Sequence, residues 1–224
     1  MSGHSKWATI KRDKGANDAK RGAVFTKLAN AITMAVRQGG GNADPTFNFK
    51  LRLAIDKAKQ ANMPKDNISR AIDKGSGKGD GVQLTEAVFE GFGPGGTAIM
   101  IEAISDNTTR TAQMIRSIFV KNDCNLGTPG SVSYLFTRLG EIENVTFEEA
   151  LQVDALDFDE NTLYTKPEDL HRVSETLKKP GSLVFRPNKE TMVEIKDPVI
   201  SGKIQDLLEA IDELDDVQNV YINA

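Results

Sequence analysis

The hydrophobic period first shifts from about 3.6 towards 2 across the glycine-rich stretch "KGSGKGDG" at residues 74–81. Before it, apolar residues recur every three or four positions; after it, alternating stretches appear between helical ones. A helix-period segment cannot be threaded into a sheet, and a period-2 segment cannot form a helix stripe. The sequence therefore predicts a helical module, a flexible charged linker, and then sheet-containing domains.

In the helical module, Phe25, Leu28, Ala29, Ile32, Ala35 and Val36 follow helical spacing until "QGGGNADP" stops them. Asp44 is expected to cap a second helix with Pro45 in its first turn and Phe47, Leu51, Ala54, Ile55 and Ala58 as its stripe. "NMPKD" breaks that helix and starts a third, with Ile68, Ala71 and Ile72 inward and Gly75 at its end. Three short helices predict a small bundle over residues 23–75. Ahead of it, residues 1–22 lack an apolar period and contain Gly3, Gly15 and Gly22. Such a basic arm is expected to be disordered or only partly helical on its own.

Beyond the linker, "TEAVFEGFGPGGTAIMIEAISD" reads as strand, turn, strand. A helix capped at Asn107 or Thr108 follows, with Ala112, Ile115, Ile118 and Phe119 on one face, and then a strand at "SVSYLF". Strand "GEIENV", helix "TFEEALQV", strands "ALDF" and "TLYT", helix "PEDLHRVSETLKK" and strand "SLVF" make a further unit. The amphipathic "SGKIQDLLEAIDELDD" and the closing strand "VQNVYINA" supply what the first unit lacks. The expected class is α+β with three domains. Residues 76–135 and 198–224 form one discontinuous domain, and residues 136–197 form another inserted into it.

Charge divides the chain at the same place. Residues 1–80 hold 16 Lys and Arg against 7 Asp and Glu, whereas the remainder holds 12 against 25. That contrast points to a phosphate-facing module carried on acidic domains. The single cysteine, Cys124, fits a reducing compartment, and no apolar run reaches membrane-spanning length. With no apolar signal core near the start, the expectation is a cytoplasmic protein without membrane partners.

Chemistry is sparse. His4, His171 and Cys124 fall in no zinc-binding spacing, and no Gly-x-Ser-x-Gly elbow occurs. His171 reads as a solvent-facing residue of a charged helix, and Cys124 as a structural thiol. "DFDEN" and "DELDD" read as solvated faces and helix ends, and "GFGPGG" as a hairpin turn. No catalytic residue, metal ligand or cofactor is assigned, and the chain is expected not to be an enzyme.

The candidate site is the basic module. Lys50 and Lys57 are seven apart on one side of the second helix's stripe; Arg52 and Lys59 are seven apart on the other. Lys65 and Arg70 continue the charge on the third helix, and Lys27 adds to it on the first. The arm brings Lys6, Lys11, Arg12, Lys14, Lys20 and Arg21. Counterion release on a phosphate backbone would offset the cost of ordering such an arm. Its Trp7 could then stack on an unpaired base, which favours structured or single-stranded RNA over a duplex groove; packing of Trp7 on the bundle is the alternative. For duplex DNA, Asn67 and Arg70 are the candidate base readers.

Several long stretches occur in an order that resembles the YebC family: "GHSKWATIKRDKGANDAKRGAVFTKLANAI", "KLRLAIDKAKQANMPKDNISRAI", "FEGFGPGG", "DNTTRTAQMIRSIF" and "LDDVQNVYINA". Members are labelled transcriptional regulatory proteins. They include a mitochondrial translational activator, and bacterial members have been linked to translation of proline-rich stretches on the ribosome. The resemblance implies the three-domain plan and no catalytic activity. It also implies a nucleic-acid surface at His4, Ser5, Lys6, Trp7, Lys11 and Lys14 and on the bundle's basic residues. "DALDFDENTLYT" and "KKPGSLVF" are shorter than in many relatives, which leaves the inserted domain's role open. The expected function is regulation of gene expression by binding structured RNA or the ribosome to promote translation. Duplex-DNA binding, or a protein partner on the acidic domains, are the alternatives.

Overall fold

The computed structural model describes residues 18–78 and 83–224. The reading of residues 1–17 as an unstructured arm lies outside the described residues, as does the Lys20 side chain. The first helix, α1 (Asp18–Gln38), starts five residues before the expected bundle boundary at residue 23. Ala19, Lys20 and Arg21 favour a helix, and one glycine costs only about 1 kcal/mol. Thr26 Oγ1 returns a hydrogen bond to Gly22 O at 3.1 Å.

The bundle is completed by α2 (Phe49–Gln60) and α3 (Lys65–Gly75). Its core joins Ile32, Val36, Leu51, Ile55, Ala58, Met63, Ile68 and Ala71. Asp44 does not cap α2. Its carboxylate accepts from Thr46 N at 2.8 Å in a turn of its own, and the helix begins only after Asn48. Asn48 Oδ1 accepts from Leu51 N (3.1 Å), while its amide donates to Ala35 O (2.9 Å) and Asn42 O (3.1 Å). One buried amide thus starts α2 and closes α1. The later start also removes Phe47 from the stripe, leaving it 79% exposed. Gly75 lets α3 touch α1, because a β-carbon there would meet Val36 Cβ at 2.7 Å and Thr33 O at 2.8 Å.

Two four-stranded antiparallel sheets follow. The first has the order β3–β1–β2–β8, from β1 (Thr85–Phe92), β2 (Ala98–Ser105), β3 (Asn125–Leu126) and β8 (Val217–Ile222). Its inner face, including Ile99, Ile101, Val220 and Ile222, is covered by α4 (Thr108–Lys121) and α7 (Pro198–Asp212). The second has the order β5–β6–β4–β7, from β4 (Phe136–Ile142), β5 (Asp157–Asp159), β6 (Thr162–Thr165) and β7 (Gly181–Pro187). It packs on α5 (Phe147–Ala150) and α6 (Leu170–Leu177) around Ile142, Leu163, Leu170 and Val173. The protein is a multi-domain α+β fold: the chain leaves the first sheet after β3, completes the second, and returns through α7 to β8.

"SVSYLF" is not a strand of the first sheet. Residues Ser133–Leu135 form a 3-10 turn, and Phe136 already begins β4. The diversion comes from Glu90 on β1, whose buried carboxylate accepts from Gly130 N, Val132 N and Ser133 N at 2.7–2.8 Å. Those three N–H groups are unavailable to a strand ladder.

The sheets meet through Ala98, Met100 and Tyr221 on one side and Phe136 and Val184 on the other, with Val132 between them. Tyr221 is fully buried, donates to Glu102 Oε2 at 2.8 Å and meets the Phe185 ring edge-on. Burial, followed by the Glu102 charge, pushes its phenol well above the ordinary value. Among the described residues, no helix is long and apolar enough to cross a membrane.

On β1, a β-carbon at Gly91 would lie 2.8 Å from Phe119 Cζ and closer still to Cε1. Gly91→Ala is expected to destabilise the fold by about 2 kcal/mol through overpacking. Adding Phe119→Leu should recover part of that loss, so urea midpoints of the two single variants and the double variant would be non-additive.

Candidate nucleic-acid interface

Three helices build the described part of the basic surface, and short loops decide where the cations of α2 and α3 point. Ala61 and Asn62 end α2, Pro64 opens α3, and Lys59 and Lys65 flank that corner. Lys65 and Arg70 are exposed. The Lys59 side chain is 67% exposed and, among the described residues, makes only an i,i+3 pair with Asp56 at 3.6 Å. Arg70 lies along α3, donating to Asp66 O (3.2 Å) and Asn67 Oδ1 (2.5 Å). The two candidate base readers are therefore bonded to each other. Lys50 is exposed and donates to Gln38 Oε1 at 2.6 Å, beside the end of α1. Arg21 is exposed on α1, and Lys57 is half-buried.

Two predicted contacts are drawn away from solvent. Lys27, only 14% exposed, donates to the Asp212 backbone carbonyl at 2.5 Å and meets its carboxylate at 3.3 Å. It docks the bundle on the end of α7. Arg52 turns to the inserted domain, pairing with Glu175 Oε1 at 3.1 Å and His171 Nε2 at 3.0 Å. The four α2 cations thus do not form one outward-facing set. The remaining predicted residues, His4, Ser5, Lys6, Trp7, Lys11, Arg12 and Lys14, lie outside the described residues.

The sequence reading missed the seam that captures Arg52. Phe49 and Leu53 leave the bundle and pack against the core of the inserted domain. The Phe49 ring lies 4.3 Å from the His171 ring, centroid to centroid, and the Arg52 guanidinium lies 5.4 Å from Phe49. His171 therefore contacts α2 while its side chain stays 44% exposed. The signal was the i,i+4 pair Phe49/Leu53, a second apolar line on α2 beside the stripe of Leu51, Ile55 and Ala58. Phe49→Ala is expected to cost about 2 kcal/mol and to loosen bundle from inserted domain, seen as a lower urea midpoint and faster amide exchange in α6.

The acidic clusters are also engaged. Asp216 Oδ2 accepts from Ser105 (3.1 Å), Thr111 (2.6 Å) and Arg110 (3.1 Å), and Asp157 and Asp159 flank Arg186 at 2.7 and 3.4 Å. Arg186 also covers the Tyr164 ring at 4.1 Å. Burial, then Glu141, pushes the Tyr164 phenol up to about 12. Cys124 is buried with its thiol pKa raised, first by burial and then by Asp123, as befits an unreactive thiol.

The fold and this surface define a class: a basic helical domain followed by two acidic α+β domains. The sequence matches the profile described as TACO1/YebC protein N-terminal domain over residues 5–78, and that of TACO1/YebC second and third domain over residues 84–224. The chain belongs to the TACO1/YebC family. It is 45% identical to a "Probable transcriptional regulatory protein" of Persephonella marina, covering all of this chain and 95% of that relative. An equally named protein of Acidithiobacillus ferrooxidans is 46% identical, with 100% and 94% covered. The crystal structure of a conserved hypothetical protein from Aquifex aeolicus superposes with a TM-score of 0.86 at 42% identity, covering 97% of this chain and 95% of that one.

Proposed function

We propose that this protein is a non-enzymatic regulator of gene expression that binds nucleic acid through its arm and bundle. The favoured target is structured RNA on the ribosome, with promotion of translation as the outcome. The observation that carries this reading is the exposure of Lys50, Lys59, Lys65 and Arg70 on a module where cations outnumber acids 16 to 7. Such an excess leaves the module with a net positive charge, which attracts a polyanion. The arm's Trp7 supports RNA, since an unpaired base offers a ring to stack on, worth about 1–3 kcal/mol. The acidic domains repel phosphate and so set the orientation of the complex. Their surface is the place for a protein partner.

The second reading is duplex DNA, supported by the relatives' name and by Asn67 and Arg70 in the first turns of α3. Sedimentation with ribosomes and a duplex-DNA shift assay, each across a salt series, separate the two. A steep loss of binding with salt on ribosomes and weak, shallow binding to duplex is expected. The reverse pattern would favour the DNA reading. Removing residues 2–17 should abolish most affinity for either target, and unchanged binding would sink the role of the arm.

A further inference from the structure

The inserted domain exposes a cluster of large apolar side chains beside a strongly acidic stretch. Phe147, Leu151 and Leu156 are 60%, 72% and 55% exposed. Phe147 and Leu151 sit one helical turn apart, with Leu151 N donating to Phe147 O at 3.1 Å. The Phe147 ring lies 6.0 Å from Phe158, centroid to centroid. Leu156 N bonds Tyr164 O at 2.8 Å, at a bend one residue ahead of β5. Only Asp157 separates Leu156 from Phe158, so Leu156 flanks the Phe147–Phe158 contact. β5, which carries Phe158, is the sheet's edge. Exposed apolar side chains grouped in this way mark an interaction site.

Charge selects the occupant. Residues 139–165 contain eight Asp and Glu and no Lys or Arg, and residues 136–197 as a whole hold 14 acids against 8 bases. Several acids are already matched: Glu149 by Lys179, Asp157 and Asp159 by Arg186. Around the apolar cluster, Glu148 is exposed next to Phe147. The Asp154 side chain is 91% exposed and reaches Arg172 only at 3.6 Å. Such a rim repels nucleic acid and anionic lipid headgroups alike. It attracts a polypeptide that brings both apolar anchors and positive charge.

We propose that the α5–β5 face docks a cationic segment of a partner polypeptide. Its apolar side chains pack among Phe147, Leu151 and Leu156, and its Lys or Arg side chains face Glu148 and Asp154. The proposal is independent of what the bundle binds. A labelled 18-residue synthetic peptide of Lys and Leu, with Leu at i,i+4 spacing, tests it on the full chain by fluorescence anisotropy. Binding is expected to weaken at least tenfold when Phe147→Ser and Leu151→Ser are combined, two surface changes whose folding circular dichroism verifies. The same loss is expected with an isocharged peptide carrying Ser for Leu. Amide-exchange protection by the peptide should fall within residues 147–159. Absent binding, equal binding to the double variant, equal binding of the Ser peptide, or protection elsewhere would overturn the proposal. Self-association lost in the double variant would give the face to a second copy instead. A tenfold gain in peptide affinity on removing residues 1–17 would give it to the chain's own arm. Either result also overturns the proposal.

Discussion

Reversing charge at Lys59, Lys65 and Arg70 together, each to Glu, is expected to weaken binding to structured RNA by about 10²–10³-fold in roughly 0.1 M salt. Each lost phosphate contact removes about 0.7–0.9 from the slope of log affinity against log salt, so three remove about 2–3. Integrated down from about 1 M salt, that slope gives the predicted loss. The fold leaves these three at the surface: Lys59 and Lys65 flank the α2–α3 corner, and among the described residues Arg70 bonds only to its own helix. Lys27→Glu and Arg52→Glu would confound the measurement. They would place like charge against Asp212 and Glu175 and so disturb domain packing. Filter binding across a salt series, with circular dichroism to show intact helices, checks the prediction. Unchanged affinity and slope would remove the bundle from the interface and leave the arm alone.

What the sequence made legible followed the reach of its signals. Helical period is a local property, so the stripes through Ile32 and Val36, Leu51 and Ile55, and Ile68 and Ala71 identified the bundle core directly. In the structure β8 pairs with β2, and α7 shares the inner face of that sheet with α4. Starts of helices were less legible. Asp44 and Asn48 are both good caps by type, and only the contact of Asn48 with Ala35 decides between them. Charge counts found the basic module but not the partners of its members. Lys27 is paired across 185 residues and Arg52 across 123, distances no local pattern can encode. "DELDD" was read as a solvated helix end, yet Asp212 and Asp216 anchor two different helices.

The most consequential long-range contact of this kind is at Glu90, and its removal is expected to cost more stability than any other substitution considered. Glu90→Ala would leave the N–H groups of Gly130, Val132 and Ser133 without their acceptor in a partly buried loop. Hydrogen bonds to a charged group contribute about 1.5–3 kcal/mol each and are not additive, so a loss of about 4 kcal/mol is expected. Glu90→Gln retains the shape and one acceptor oxygen, and should cost about half as much. The carboxylate also makes the contribution depend on pH. Burial opposes its ionisation, but the three backbone donors prevail and hold its pKa below the ordinary 4.5. A group with a depressed folded-state pKa stabilises the fold fully above its unfolded value and loses that contribution as pH falls through the folded one. Urea midpoints of the native and Glu90→Gln proteins should therefore differ most above about pH 5 and converge as the pH is lowered below 4.5. A constant difference across that range would mean that the loop is held by shape and not by the charge. The loop from β3 to β4 carries the chain from the first sheet to the second, so its release should also loosen the packing of Val132 and Phe136 on Met100 and Tyr221. Amide exchange would then rise in β4 as well as in the loop, which separates loss of this anchor from a uniform loss of stability.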